Sequence, residues 1–189
     1  MDNTRARVLG PAAQLIRRVA VRDVILTARC SIQLQMERPV TKSLQGKVAL
    51  ITGGGQGVGR GIAIAMARLG ADIAITGRTL HKVESVAREI ESLGQRAIAL
   101  EGSVRNAGAL KNAVDGAVTQ LGGLDILVNN AQEVPLGTLD KVTDAAFTAG
   151  FESGPLATMR LMKLAHPHMK ARGGGTIFNF ASSAGIRWD

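Results

Sequence analysis

Tyrosine is missing from all 189 residues, and aromatic side chains of any kind make up only 3%. Proteins that bind single-stranded nucleic acid stack bases on aromatics set among basic residues. No such interleaving is present, so the net charge of +8 does not make nucleic acid an expected partner. The charge is also unevenly placed: residues 1–35 carry six arginines and no lysine against Asp2 and Asp23, half of the whole excess. Cys30 is the single cysteine, which excludes a disulfide within the chain and favours a reducing compartment. No apolar run approaches the roughly 20 residues of a membrane-spanning helix, so no membrane partner is expected and the localisation inferred is cytoplasmic. What is there is ample material for a core. An apolar content of 46% excludes general disorder, and the length suits one domain.

Residues 1–43 read as a basic N-terminal extension, disordered or loosely helical. Arg18, Arg22 and Arg29 fall on one helical stripe, with Leu15, Ile16 and Val19 on another face. An arginine-rich, acid-poor start is also how an organelle transit peptide looks. Composition favours the plainer alternatives, a disordered leader or translated upstream sequence with Met36 as the natural start.

From residue 44 to 189 the pattern changes to that of a folded α/β domain. Strand-like apolar runs at Val48–Ile51, Ile73–Ile75, Ala97–Leu100, Ile126–Val128 and Thr176–Phe180 alternate with helix-length amphipathic segments. The last segment, from about Thr143 to Ala171, contains Pro167, which is expected to disturb its final turns. Strands that lack apolar–polar alternation, each followed by a helix, imply a parallel sheet covered on both faces. Right-handed crossovers make it a doubly wound, Rossmann-type α/β sheet of about five strands.

Ligands of such sheets bind beyond the carboxyl ends of the strands. Three clusters fall there: Thr52–Gly59 after the first strand, Asn129-Asn130-Ala131 after the fourth, and Ser182-Ser183 after the fifth. Each alone has an ordinary reading as a tight turn or a helix cap. Together they predict a site. Glycine lets the backbone approach a bulky anion, and the helix beginning near Gly57 points its unpaired N–H groups at it, the arrangement that holds a pyrophosphate. No triplet of these glycines has G-x-G-x-x-G spacing. The stretch Thr52-Gly53-Gly54-Gly55-Gln56-Gly57-Val58-Gly59 fits T-G-x-x-x-G-x-G, and no Lys-Ser or Lys-Thr follows to make a mononucleotide phosphate loop. After the second strand, where an acidic residue receives the ribose 2′-hydroxyl of NAD, the sequence reads Thr76-Gly77-Arg78-Thr79. A guanidinium there suits a 2′-phosphate, so NADP(H) is preferred over NAD(H).

With these motifs in this order, the chain from Leu44 to Asp189 resembles the short-chain dehydrogenase/reductase family. Thr52–Gly59 looks like its cofactor loop, and Asn129-Asn130-Ala131 like its Asn-Asn-Ala-Gly motif with Gln132 in place of glycine. Phe178-Asn179-Phe180-Ala181-Ser182-Ser183 looks like the strand that delivers the catalytic serine, with Ser183 the better match. The resemblance implies an oxidoreductase moving hydride between NADP(H) and a small-molecule carbonyl or alcohol. Cofactor contacts are expected from Thr52, Gly53, Gly55, Gln56, Gly57, Val58, Gly59, Arg78, Ser103, Val104, Asn129, Asn130 and Ala131. Ser183 would hydrogen-bond the substrate. No metal site is expected, since His166 and His168 have no further ligands in sequence.

The departures are specific. The family's Tyr-x-x-x-Lys pair follows the serine, and this sequence reaches Asp189 without it. The family's helix asparagine falls near Phe151, and Ser103 stands where an acidic residue usually touches adenine. The implied polypeptide is catalytically incomplete, with Thr176–Phe180 as an exposed edge and the family's oligomer surface compromised. A non-catalytic nucleotide-binding module and an unstable fragment are the alternatives. Outside the site, Asp125 is expected in a turn, Asp140 as a helix cap and His81 on a solvated helix face.

Overall fold

The structure is a computed structural model and describes residues 42–135 and 137–181. Five strands form one sheet: β1 Val48–Thr52, β2 Asp72–Gly77, β3 Ala97–Glu101, β4 Ile126–Asn129 and β5 Thr176–Asn179. Between them lie α1 Gly57–Arg68, α2 Leu80–Ser92 and α3 Ala107–Leu121. The path from β4 to β5 is longer: a short 3-10 turn at Leu139–Lys141, α4 Asp144–Phe151, a wide π turn at Glu152–Leu156, and α5 Ala157–Ala171.

All neighbours in the sheet pair in parallel, in the order β3-β2-β1-β4-β5. The strand order reverses at β1, whose two neighbours are β2 and β4. Every residue of Val48–Thr52 is buried, as a strand covered on both faces requires. Side chains alternate across it. Val48 and Leu50 join Leu127, Leu110, Val114 and Leu161 in a core under α3 and α5. Ala49 and Ile51 join Ile73, Ile75, Ala63, Val83 and Ile90 in a second core under α1 and α2. The central strands are therefore covered on both faces, the edge strand β5 stays largely exposed with Phe178 at 46%, and the open end of the sheet is its carboxyl edge.

Pro167 corrects an expectation. α5 runs through it to Ala171, and the chain turns only at Gly173 and Gly174, both with positive φ. Pro167 and Lys163 both lie on the exposed face, so water can reach the carbonyl that proline leaves without a donor. The interruption falls earlier instead, at the π turn that contains Pro155. Asp140 is likewise not the helix cap. That role belongs to Thr143, whose hydroxyl accepts the Ala146 N–H at 3.2 Å.

Asp125 lies in the bend before β4, as expected of a turn residue, and is also a buried anchor. Its carboxylate accepts the Val48 N–H at 2.9 Å and Arg172 Nε at 2.9 Å, with Lys47 Nζ 3.5 Å away. Burial works to raise its pKa, but the Arg172 and Val48 hydrogen bonds and the charges of Arg172 and Lys47 outweigh it and hold the pKa below the ordinary value. One carboxylate thus ties the starts of β1 and β4 to the lead-in of β5. His81 sits on an exposed face of α2, as expected.

Candidate functional site

The turn leaving β1 is stitched to the turn leaving β4. Thr52 Oγ1 accepts the N–H groups of Asn130 and Ala131, each at 3.0 Å, and the Asn130 amide donates to the Thr52 carbonyl at 2.9 Å. Thr52 and Asn129 are both buried and do not line the cleft. Asn129 instead donates to Asn179 Oδ1 at 2.8 Å, joining β4 to β5. These two residues shape the site from behind its wall.

The glycine turn forms the floor. Gly57 opens α1 with φ +55°, a conformation that other residues seldom adopt. At Gly59 the constraint is space. A Cβ there would fall on the Gly53 carbonyl oxygen and come within 2.6 Å of Asn130 Nδ2. With no side chain, α1 packs directly against the turn. Its first helical bond is donated by the Arg60 N–H to Gln56 O, so the N–H groups at 57–59 have no acceptor within the helix. Gln56, the N-cap, makes no capping bond, because its side chain is drawn to Lys82 Nζ at 2.7 Å. The first turn of α1 carries no acidic residue either. An open helix N-terminus above a backbone cradle fits a diphosphate.

Around this floor lies a cleft of about 370 Å³ at the carboxyl ends of β1, β2, β3 and β4. Of the residues expected at the cofactor, Gly53, Gly55, Gln56, Gly57, Val58, Gly59, Arg78, Ser103, Val104, Asn130 and Ala131 line it. Ser103 Oγ accepts the Arg105 N–H at 3.3 Å while still facing the cleft. Ser183 lies outside the described residues, so its position relative to this cleft is not part of the geometry. The same holds for residues 1–41 of the N-terminal extension. Phe151, at the place of the family's asparagine, ends α4 with its ring half exposed.

The cleft also holds Gln132 and three residues to which the sequence motifs assigned no role, Lys82, Glu133 and Ser153. Gln132, in place of the motif's glycine, lies against the π turn, where a Cβ on Gly154 would be 3.2 Å from its Nε2. Glu133 Oε1 is paired with Arg78 Nη1 at 2.7 Å, and its Oε2 is 3.8 Å from Arg105 Nη1. Arg105 is in turn held by Glu152 at 2.8 Å. The backbone of Glu133 is fixed as well, its N–H donating to the buried Ser153 hydroxyl at 2.9 Å. A carboxylate absent from Thr76–Thr79 in sequence is thus present beside Arg78 in space, on Glu133, which follows β4 on the far side of β1. A sequence signal for Lys82 does exist: it stands in the first turn of the helix that follows β2, and parallel pairing of Thr52 with Thr76 sets that turn beside the glycine loop.

Fold and cleft together define a Rossmann-type nucleotide-binding domain, with its site where strand order reverses. The family model for short chain dehydrogenase matches residues 47–188, and the chain belongs to that family. It is 37% identical over 131 residues to the short chain dehydrogenase mdpC of Emericella nidulans, covering 69% of this chain and 49% of that relative. It is 38% identical over 149 residues to a 12alpha-hydroxysteroid dehydrogenase of Clostridium sp., covering 75% of this chain and 57% of the relative. A 7α-hydroxysteroid dehydrogenase solved with NADH and 7-oxo glycochenodeoxycholic acid superposes with a TM-score of 0.75 at 32% identity, over 79% of this chain and 58% of that one. The chain thus spans about half the length of the curated relatives it matches. Among the described residues no helix is long and apolar enough to cross a membrane.

Proposed function

We propose that this domain binds NADP(H) in the cleft at the carboxyl edge of the sheet, and that the whole protein is an oxidoreductase acting on a small-molecule carbonyl or alcohol. The observation that carries this reading is the uncapped start of α1 above the Gly53–Gly59 cradle, with Arg78 and Lys82 at its adenosine end. The bound coenzyme would supply the hydride. The N–H groups of α1 and the glycine turn would take the diphosphate, and Arg78 a 2′-phosphate through a charge-assisted pair. Ser103 and Val104 would flank the adenine. Ser183 would donate a hydrogen bond to the substrate oxygen. Residues 44–189 would be the nucleotide-binding domain and residues 1–43 an extension of it in sequence, and the protein would act in the cytoplasm.

For the 189-residue polypeptide the reading includes a limit on turnover. It contains no tyrosine to move the proton that accompanies hydride transfer, a step to which a positioned acid or base contributes about 10²–10⁴-fold. Cofactor binding without measurable turnover is the behaviour expected of it, which is also the property of the second reading, a non-catalytic nucleotide-binding module. A fluorescence titration with NADPH and with NADH, beside a thermal melt, tests both. Saturable binding with a cooperative melt supports the cofactor site, and Arg78→Ala should then weaken NADPH far more than NADH. A cooperative melt with no binding overturns the reading, and steady turnover of a carbonyl substrate overturns the limit.

A further inference from the structure

Arg78, the residue assigned to the 2′-phosphate, does not face the cleft alone. Its guanidinium is already paired at 2.7 Å with Glu133, a cleft residue held in place through its own backbone by Ser153. A phosphate arriving at Arg78 meets a fixed negative charge bound to the same group. An NAD ribose, which bears a neutral hydroxyl there, meets no such repulsion. We propose that Glu133 is a specificity-determining residue of the cofactor cleft. It competes with the 2′-phosphate for Arg78 and so lowers the preference for NADP(H) that Arg78 would otherwise set. This proposal rests on the reading of Arg78 as the phosphate partner.

The surroundings make the competition reversible. The Arg78 side chain is 70% exposed and that of Glu133 33%, so their pair is of the weak, solvent-screened kind that a dianionic phosphate can displace. Once displaced, the Glu133 carboxylate keeps a second cation within reach, Arg105 at 3.8 Å, itself anchored by Glu152. Glu133 thus changes partner without being left unpaired. Lys82, held at 2.7 Å by Gln56, adds a further positive charge to the same cleft lining. Opening the Arg78–Glu133 pair is a cost that only the phosphorylated cofactor meets, so Glu133 weakens its binding through Arg78 and leaves the other largely untouched.

The test is a double-mutant cycle on the whole chain. Wild type, Arg78→Ala, Glu133→Gln and the double variant are titrated with NADPH and NADH, following nicotinamide fluorescence, and with adenosine 2′,5′-bisphosphate against adenosine 5′-monophosphate by calorimetry. Thermal melts check that each variant is folded. Glu133→Gln should raise the ratio of NADPH to NADH affinity by about three- to tenfold, with the gain lost when Arg78 is also replaced. The bisphosphate should show the same gain. An unchanged ratio, or a gain that survives without Arg78, overturns the role given to Glu133. If Arg78→Ala leaves the ratio unchanged in both backgrounds, it is the phosphate reading of Arg78 that fails, and the Glu133 proposal falls with it.

Discussion

Two arginine–carboxylate pairs, at opposite ends of the sheet, have nearly the same geometry and different work. At the amino edge, Asp125 and Arg172 meet at 2.9 Å, and at the carboxyl edge Glu133 and Arg78 meet at 2.7 Å. The Asp125 side chain is only 5% exposed and accepts a backbone N–H besides its cations, whereas the Glu133–Arg78 pair stands in the open mouth of a cleft. Distance alone does not separate them. What separates them is whether water can take the place of the partner. In the first pair, at the buried Asp125 carboxylate, it scarcely can, although Arg172 is itself 33% exposed, so the contact holds strands together. In the second it can, so the contact is free to be exchanged for a ligand.

The largest expected effect follows from removing the buried carboxylate. Asp125→Ala leaves the buried Val48 N–H without an acceptor and Arg172 without its counter-ion, at a cost of about 3 kcal/mol. Urea unfolding at neutral pH measures it. A loss as small as that of an exposed pair would erase the contrast between the two edges.

A smaller effect appears in acid. The folded pKa of Asp125 is lowered from its ordinary 3.8, so its contribution to stability is fully present above that value and is lost as pH falls through the folded pKa. Asp125→Asn keeps an oxygen for the Val48 N–H, puts an NH2 donor where Arg172 needs an acceptor, and removes the titrating charge. The stability difference between wild type and Asp125→Asn should therefore be constant from neutral pH down to about 4 and shrink below it. Unfolding curves across that range measure it, and a constant difference down to pH 2 would assign the acid response to other groups.

At the carboxyl edge, Gly59→Ala sharpens the comparison because the clash there is with backbone. The added methyl must push α1 away from the Gly53 carbonyl, costing about 1–3 kcal/mol and spoiling the anion cradle at the same time. Stability and NADPH binding should fall together, as read by melting and fluorescence. Unchanged binding would mean that the cofactor does not use the turn.

The same contrast explains what could be read in the sequence. Val48–Ile51 is apolar throughout, and a strand that contacts helices on both faces has no other pattern, so the sheet and its alternating helices were legible from local runs. So was the glycine turn, whose spacing reflects a local need for positive φ and close approach. Asp125, Thr52 and Glu133 were not. Their partners lie 77, 76 and 55 residues away in sequence, and only the β1–β2 and β1–β4 registers bring them together. Thr52 opens the motif, and its hydroxyl joins the two turns by accepting the N–H groups of Asn130 and Ala131. The absence of a carboxylate after β2 was read correctly along the chain and incompletely in space.

The smallest effect on stability belongs to Arg78→Ala. Its side chain is mostly exposed and its pair with Glu133 is screened by solvent, and Glu133 retains Arg105, so the change in unfolding free energy should stay within about 0.5 kcal/mol. Binding should behave oppositely, with NADPH affinity falling at least about tenfold and NADH affinity changing little, since only the former carries the phosphate. Replacing the rim arginine thus alters ligand choice without altering the fold, while replacing the buried aspartate alters the fold first. A melt for Arg78→Ala shifted as far as that for Asp125→Ala would make the rim pair a structural contact like the buried one, and would remove the reason to regard it as exchangeable for a phosphate.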